Sequence, residues 1–291
     1  MEKDFKIDFI AIGAAKSGTP WLTSCLRAHP EICLSEPKEV NYFNLHKMMS
    51  RETNENHMKP FSWYINCFRH CQEKKVKGEF SPIYFYDEKA PSLIKKCCPD
   101  VKLIVCLRNP IDRAYSKYWE MRSYKKMENR IFEDAIRENE HYIEMGFYYK
   151  QLKRYLEHFN RDQMLILLYD DIVSHSEEEA RRIFRFLSVS ENINIEPDLL
   201  RNKTDRVKET KFSSIIPIMN FTHRLLVDLR LGFLSLALRK IGVTRLILKL
   251  NTVTINYSEM DLKTREYLRN VFKDDIRELG ILLNRDLSHW R

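Results

Sequence analysis

Residues 9–31, FIAIGAAKSGTPWLTSCLRAHPE, read as a buried strand, a loop and a helix. Phe9, Ile10, Ala11 and Ile12 run without a polar break, the pattern of a parallel strand covered on both faces. Gly13 ends the run, and Gly18 follows five residues later. Pro20 stands where a first helical turn begins, the helix position that tolerates proline best. Trp21, Leu22, Cys25 and Leu26 then recur at helical spacing. Between strand and helix lie one cation, Lys16, and two hydroxyls, Ser17 and Thr19, beside the unpaired N–H groups of a helix start. That combination suits a phosphate-like anion.

The common phosphate loop, G-x-x-x-x-G-K-[ST], puts its lysine after the second glycine and its hydroxyl on magnesium. Here the lysine comes two residues before the second glycine, in G-A-A-K-S-G-T. A nucleoside triphosphate kinase also needs a carboxylate to hold magnesium, usually at the end of a second strand. The best second strand, VKLIVCL at 101–107, ends in Arg108. The pattern suits an anion held by protein cations, without a metal.

Two motifs carry a family resemblance. K-S-G-T-P-W, residues 16–21, resembles the 5′-phosphosulfate loop of sulfotransferases that use 3′-phosphoadenosine 5′-phosphosulfate (PAPS). L-R-N-P-I-D-R-A-Y-S, residues 107–116, resembles their 3′-phosphate motif, an arginine at a strand end followed eight residues later by a serine. Each lies at a strand-to-helix junction, in the family's order, and the likeness extends from about Ile7 to Thr204 and again from about Met260 to Trp290. The resemblance implies direct in-line transfer of a sulfuryl group from PAPS to an acceptor hydroxyl or amine. The product 3′-phosphoadenosine 5′-phosphate (PAP) is then released, with no metal and no covalent enzyme intermediate. Lys16 then meets the bridging oxygen as the phosphate departs, and Ser17, Gly18, Thr19 and Pro20 form the rest of the loop around it. Trp21 sits where family members often stack an aromatic on adenine, with ordinary core packing as the alternative. Arg108 forks onto the 3′-phosphate and Ser116 donates from the following helix, with Arg113 and Lys117 read as solvated flanking charges.

For the general base the resemblance points to Glu39, in E-V-N-Y-F at 39–43, which is similar to the glycan-sulfotransferase branch's acid-x-polar-aromatic-aromatic stretch. Glu36 lies on the wrong side of Pro37, and Lys38 is placed to steer an anionic acceptor. His46 and Glu79 are the alternatives should Glu39 not serve. The chain departs from the family's pattern at Pro20, where a second threonine is common, and at Asn41, where histidine or glutamine is common. It departs again at Phe80, where Golgi-type members often have lysine before S/T-P-x-Y, here Ser81-Pro82-Ile83-Tyr84. That last change argues against a highly anionic acceptor such as heparan sulfate. Asn202-Lys203-Thr204 is a short match to a late segment near the nucleotide.

The 291 residues, 44% of them hydrophobic, suffice for one α/β domain over 1–291, and strands alternating with helices imply a central parallel sheet of the P-loop type flanked by helices. Strands are expected at 32–34, 76–80, 101–107 and 164–169. Helices are expected at 61–71, from Asp87 to about Cys98, from Pro110, at 131–139 and 146–159, at 177–187 behind Ser174 or Ser176, and at 262–283. Residues 35–43 read as a loop entering a helix, and 48–60 as a polar surface segment. Residues 211–251 form a basic amphipathic helical insertion, either a lid over the acceptor cleft or a contact with an anionic membrane face.

The net charge of +8 favours anionic partners, and no nucleic-acid motif accompanies it. Without an apolar leader or a spanning apolar run, a cytoplasmic location is expected, with membrane contact only through 211–251. Seven cysteines, none in C-x-x-C, read as reduced thiols, with Cys67, His70 and Cys71 as packing residues. The alternatives to a sulfotransferase are a P-loop small-molecule kinase and a non-catalytic anion-binding module. Whether the acceptor is a glycan, a lipid-linked alcohol, a small metabolite or an amine is left open, as is the oligomeric state.

Overall fold

The apolar run at 9–12 is the middle strand of a five-stranded parallel sheet. β1 (Phe9–Gly13) lies between β3 (Val76–Phe80) and β4 (Lys102–Leu107), with β2 (Ile32–Leu34) and β5 (Met164–Leu168) at the edges, in the order β2-β3-β1-β4-β5. The structure, a computed structural model, describes residues 5–45, 53–71, 73–124, 127–193, 206–210, 252–256 and 258–291. The α/β fold and parallel sheet expected from the sequence are thus borne out.

The helices are α1 (Thr19–Ala28), α2 (Phe61–Asn66), α3 (Ala90–Cys97), α4 (Pro110–Trp119), α5 (Phe132–Glu138), α6 (His141–Glu144), α7 (Tyr148–Leu156), α8 (Tyr169–Ser174), α9 (Ser176–Leu187) and α10 (Leu262–Leu283). Asp87 caps the start of α3 by accepting the N–H groups of Lys89 and Ala90 at 2.8 and 3.0 Å. Asp261 caps α10 through the Thr264 N–H at 3.0 Å. Leu268, Phe272, Ile276 and Leu279 form the buried face of α10. The same helix supplies Asp275, which accepts the N–H groups of Tyr149 and Lys150 at 3.1 and 3.3 Å and so serves the first turn of α7. No described helix is long and apolar enough to cross a membrane.

All five strands point the same way, so their carboxyl ends share one edge. From β1 the chain turns towards β2, and from β4 it turns towards β5, leaving a crevice between the loops that follow β1 and β4. Open α/β sheets bind ligands at such a reversal. Backbone bonds lock the exits together: Ala14 N–H donates to Cys106 C=O at 2.8 Å, and Ser81 N–H to Ala11 C=O at 3.0 Å.

The described residues divide into two compact units where the sequence reads as one domain. The first holds the sheet and covers 1–117, 132–202 and 260–291; the second covers 118–131 and 203–259. In the second unit β6 (Arg206–Thr210) pairs antiparallel with β7 (Thr252–Asn256), so that Thr210 faces Thr252. The described residues that flank the 211–251 insertion, Thr210 and Thr252, are therefore partners in a strand pair. The insertion itself lies outside the described residues, as do His46 and Asn202-Lys203-Thr204.

Four local expectations change. Residues 39–45 enter no helix; their backbone is held by side chains. The helix expected over 61–71 breaks after Asn66 and resumes as a single 3₁₀ turn at Arg69–Cys71. Neither Ser174 nor Ser176 caps α9, because the Ser174 hydroxyl bonds back to Asp170 C=O at 2.7 Å. Cys33 and Cys71 form a disulfide across 38 residues of sequence, a pairing that no local spacing reveals, while Cys67 stays a buried thiol.

Gly78 pairs with Phe9 in the β1–β3 ladder, and the Phe9 ring lies across it, so a Cβ at 78 would meet that ring at 2.2 Å. Gly78→Ala is expected to lower the melting temperature, through an overpacking cost of about 1–3 kcal/mol. An unchanged melting temperature would show that the ring moves aside without loss.

Candidate active site

The loop after β1 is shaped by two left-handed residues, Lys16 at φ 71° and Gly18 at φ 90°. Gly18 adopts this conformation without steric cost; Lys16 does not, and the surrounding loop holds it there. The first helical bond of α1 runs from Leu22 N–H to Gly18 C=O at 3.1 Å, so the N–H groups of Thr19 and Trp21 precede the ladder. Lys16 and Thr19 are half-buried, Pro20 is exposed, and Ser17 is fully buried.

On the other side of the crevice, β4 ends at Arg108. Its guanidinium carbon lies 4.9 Å from the centre of the Tyr169 ring, a cation–π contact. Ser116 follows two turns into α4 and is buried. Arg113 and Lys117, expected as solvated charges, are 0% and 1% exposed, since α4 turns both inward. Arg113 donates through Nη2 to the Tyr142 carbonyl, and its Nε and Nη1 have no partner.

Ser17 Oγ, Arg108 Nη1 and the Tyr148 hydroxyl are also buried without a well-formed hydrogen bond. They belong to one cluster. Burial raises the Tyr148 phenol, and the Arg113 guanidinium, the Ser17 hydroxyl and Arg108 oppose that rise. Ser17 and Tyr148 are thus close neighbours, though neither completes a hydrogen bond of good geometry. Burial lowers the Arg113 pKa, and the positive charge of Arg108 lowers it further. Among the described residues no carboxylate pairs with Arg108 or Arg113. Buried donors and cations left in this state are costly, and an anion with several acceptor oxygens fits them.

A second polar network lies at the end of β3. Glu79 is fully buried and accepts from the Tyr64 and Ser81 hydroxyls, each at 2.8 Å, and from the Tyr84 hydroxyl at 3.2 Å. Burial pushes its carboxyl up to about 7, against the pull of those three hydroxyls. The segment that follows Glu39 leans on the same groups. Asn41 N–H donates to Ser81 Oγ at 3.0 Å, and Tyr42 N–H to the Tyr84 hydroxyl at 2.7 Å. On the carbonyl side, Asn54 holds Asn44 C=O at 2.9 Å and Asn56 holds Val40 C=O at 2.9 Å. Asn54 is 7% exposed, which corrects the reading of 48–60 as mere polar surface. Glu39 itself is exposed.

The sulfotransferase domain model matches residues 6–218. The chain belongs to the sulfotransferase family. It is 31% identical over 189 residues to mouse heparan sulfate glucosamine 3-O-sulfotransferase 3A1, covering 62% of this chain and 45% of that protein. It is 26% identical over 299 residues to mouse bifunctional heparan sulfate N-deacetylase/N-sulfotransferase 4, covering 95% of this chain and 30% of that protein. The chain therefore spans less than half the length of these curated relatives. A sulfotransferase from Alicyclobacillus acidocaldarius has the same fold, with a TM-score of 0.70 at 24% identity over 99% of both chains.

In this member of the family the sheet sends Lys16–Gly18 and Arg108 to one edge, from neighbouring strands, and Ser116 lies on the helix that follows β4. Trp21 is different: it is 1% exposed and packs in the core, so its ring offers no open face to a base. Its indole N–H is buried without a partner. Sequence reasoning missed Arg113 and Tyr148 as members of the cluster. Five positions separate Arg108 from Arg113, and no periodicity shows that a helix starting at Pro110 turns the second inward. Tyr148, the first residue of a distant helix, left no signal.

Glu79, raised from 4.5 to about 7, and Asp275, raised from 3.8 to about 6, both hold their protons more tightly folded than unfolded, burial being the main cause. Their contributions to stability are full below the ordinary carboxylate range and are lost as pH rises through about 6 and about 7. The melting temperature of wild type relative to Glu79→Gln is therefore expected to fall as pH is raised through about 7. A difference independent of pH would show that Glu79 titrates alike in both states.

Proposed function

We propose that the protein transfers a sulfuryl group from PAPS to a hydroxyl or amine of a carbohydrate, lipid-linked or small-molecule acceptor. One observation carries this reading: the buried donors Ser17, Arg108, Arg113 and Tyr148 lie together beside the loops that follow β1 and β4, and among the described residues no carboxylate neutralises them. A bisphosphorylated nucleotide supplies that negative charge. The relatives' names point to sulfated glucosamine as acceptor chemistry. Phe80 tempers that for this chain. It is 1% exposed, and the neighbouring cation is Lys38, whose Nζ lies 5.1 Å from the ring centre.

In this reading the acceptor oxygen or nitrogen attacks sulfur as the bond from sulfur to the bridging oxygen breaks. The electron pair leaves with the 5′-phosphate, beside Lys16 and the N–H groups that open α1. Arg108 and Ser116 hold the remote 3′-phosphate, and Glu39 takes the acceptor's proton. Because Glu39 is exposed, the bound acceptor, with Tyr42 and Phe43 behind the base, has to exclude the water.

The deciding test is a thermal shift with PAP at low concentration, with and without EDTA, followed by labelled sulfate transfer from PAPS into a fractionated extract. Stabilisation unaffected by EDTA is expected; a dependence on magnesium and ATP would favour a kinase instead. Lys16→Ala should abolish transfer, while Arg108→Ala should mainly weaken PAP binding, since it meets a phosphate remote from the reacting sulfur. Equal loss of kcat in both, with PAP affinity unchanged, would contradict this division. Glu39→Gln should bind PAP normally and lose roughly 10²-fold or more in kcat. Near-full kcat across neutral pH would remove Glu39 from the mechanism.

A further inference from the structure

We propose that Glu79 is a positioning residue for the acceptor side. Through the hydroxyls of Ser81 and Tyr84 it fixes the backbone of Asn41–Phe43 and so the place from which the Glu39 carboxylate meets the acceptor. The inference rests on the reading of Glu39 as the base.

The argument begins with hydrogen-bond accounting. Residues 41–43 belong to no helix or strand, so their N–H groups need other partners. They find hydroxyls: Asn41 N–H donates to Ser81 Oγ at 3.0 Å, and Tyr42 and Phe43 N–H donate to the Tyr84 oxygen at 2.7 and 3.3 Å. A hydroxyl has one proton and two lone pairs. It can accept from these N–H groups in a fixed orientation only if its proton is committed elsewhere. Glu79 provides that commitment. Its Oε1 accepts from Tyr64 at 2.8 Å and Tyr84 at 3.2 Å, and its Oε2 accepts from Ser81 at 2.8 Å and Tyr84 at 3.3 Å. Among the described residues every bond to the carboxylate comes from a hydroxyl, and no cation pairs with it. Ordinary ion pairing therefore does not explain this buried acid.

The lever is short. Val40, between Glu39 and Asn41, is fully buried, and Asn41 has left-handed backbone at φ 50°. Asn56 pins the Val40 carbonyl at 2.9 Å, and Asn54 donates to the Asn41 carbonyl. The N–H side of the segment thus hangs on Glu79 and the carbonyl side on Asn54 and Asn56. An amide at 79 would turn an NH₂ towards one of the three hydroxyls, donor against donor. Where that hydroxyl is Ser81 or Tyr84 it would have to reverse, and its proton would then face a backbone N–H.

The test uses Glu79→Gln, Tyr84→Phe and Ser81→Ala beside Glu39→Gln in the full chain. Hydrogen exchange is followed residue by residue at the 41–43 amides, together with PAP affinity and PAP release from PAPS with glucosamine as the probe acceptor. Glu79→Gln is expected to speed exchange at all three amides by about tenfold or more, Ser81→Ala at Asn41 alone, and Tyr84→Phe at Tyr42 and Phe43. PAP affinity should stay within about twofold while kcat falls about tenfold or more, and Glu79→Gln combined with Tyr84→Phe should be no worse than the poorer single variant. A general loss of folding would instead speed exchange across α1 and weaken PAP binding as well. Should Glu79→Gln fail to fold, the site-resolved patterns of the two hydroxyl variants carry the same reading. Wild-type exchange at 41–43 in the variants, or a wild-type kcat beside an inactive Glu39→Gln, overturns the inference. An active Glu39→Gln would sink the base reading alone and leave the exchange results to judge Glu79.

Discussion

The constraint on which the rest depends is the parallel pairing of β1 with two neighbours at once. Ala11 is opposite Phe80 on one side and Ile104 on the other. Parallel strands are spaced about 4.8 Å apart, so the ends of β3 and β4 stand about 10 Å apart with the β1 loop between them. Three of the groups singled out above leave from these ends: Lys16 from β1, Glu79 with Ser81 and Tyr84 from β3, and Arg108 from β4. The close crossing of Phe9 over Gly78 lets β1 and β3 approach without a gap.

The two flanks have opposite polarity. The β4 side carries cations and donors that outnumber their partners, so it is completed by negative charge. The β3 side carries a buried carboxylate whose hydroxyl donors are all internal, so its hydrogen bonding closes within the protein. Neither arrangement favours stability on its own. Arg113 and Arg108 repel each other in a buried setting, and ionised Glu79 is penalised by burial. Costs of this kind gather where a fold serves chemistry as well as packing.

Legibility in the sequence followed the range of the interaction. The strands at 9–12, 103–107 and 164–168 are continuous apolar runs, and the stretch at 13–20 has two glycines and a proline whose backbone needs are local; all of these could be read directly. What could not be read depends on tertiary partners. Glu79 stands in V-K-G-E-F, where alternation cannot say that both faces are covered, and its three hydroxyl partners are scattered over 64–84. Residues 35–43 read as a loop entering a helix, yet Asn54, Asn56 and Tyr84 compete for that backbone and win. Trp21 follows helical spacing equally well for a core residue or a stacking one, and the fold decides for the core. Cys33 and Cys71 come together only because β2 and the turn at Arg69–Cys71 are neighbours.

On the proposed reading, the opposite polarity of the flanks has a mechanistic consequence. In an in-line displacement the attacking and leaving atoms lie on opposite sides of sulfur, and their charge demands are opposite too. The leaving side gains negative charge and needs donors; the attacking side loses a proton and needs a base. The donor loop on the middle strand meets the first demand itself, through Lys16 and the N–H groups that open α1, while β4 holds the remote 3′-phosphate and the attacking side falls to β3. The base cannot be placed by the sheet itself, since Glu39 follows β2 at the edge, with β3 between that strand and β1. Its segment has to be brought back over the end of β3 and fastened there. The bonds from Asn41, Tyr42 and Phe43 to Ser81 and Tyr84 do this fastening. A buried acid at the end of β3 therefore follows from the strand order: an edge-strand loop must reach a central site, and its irregular backbone needs an internal anchor to stay there.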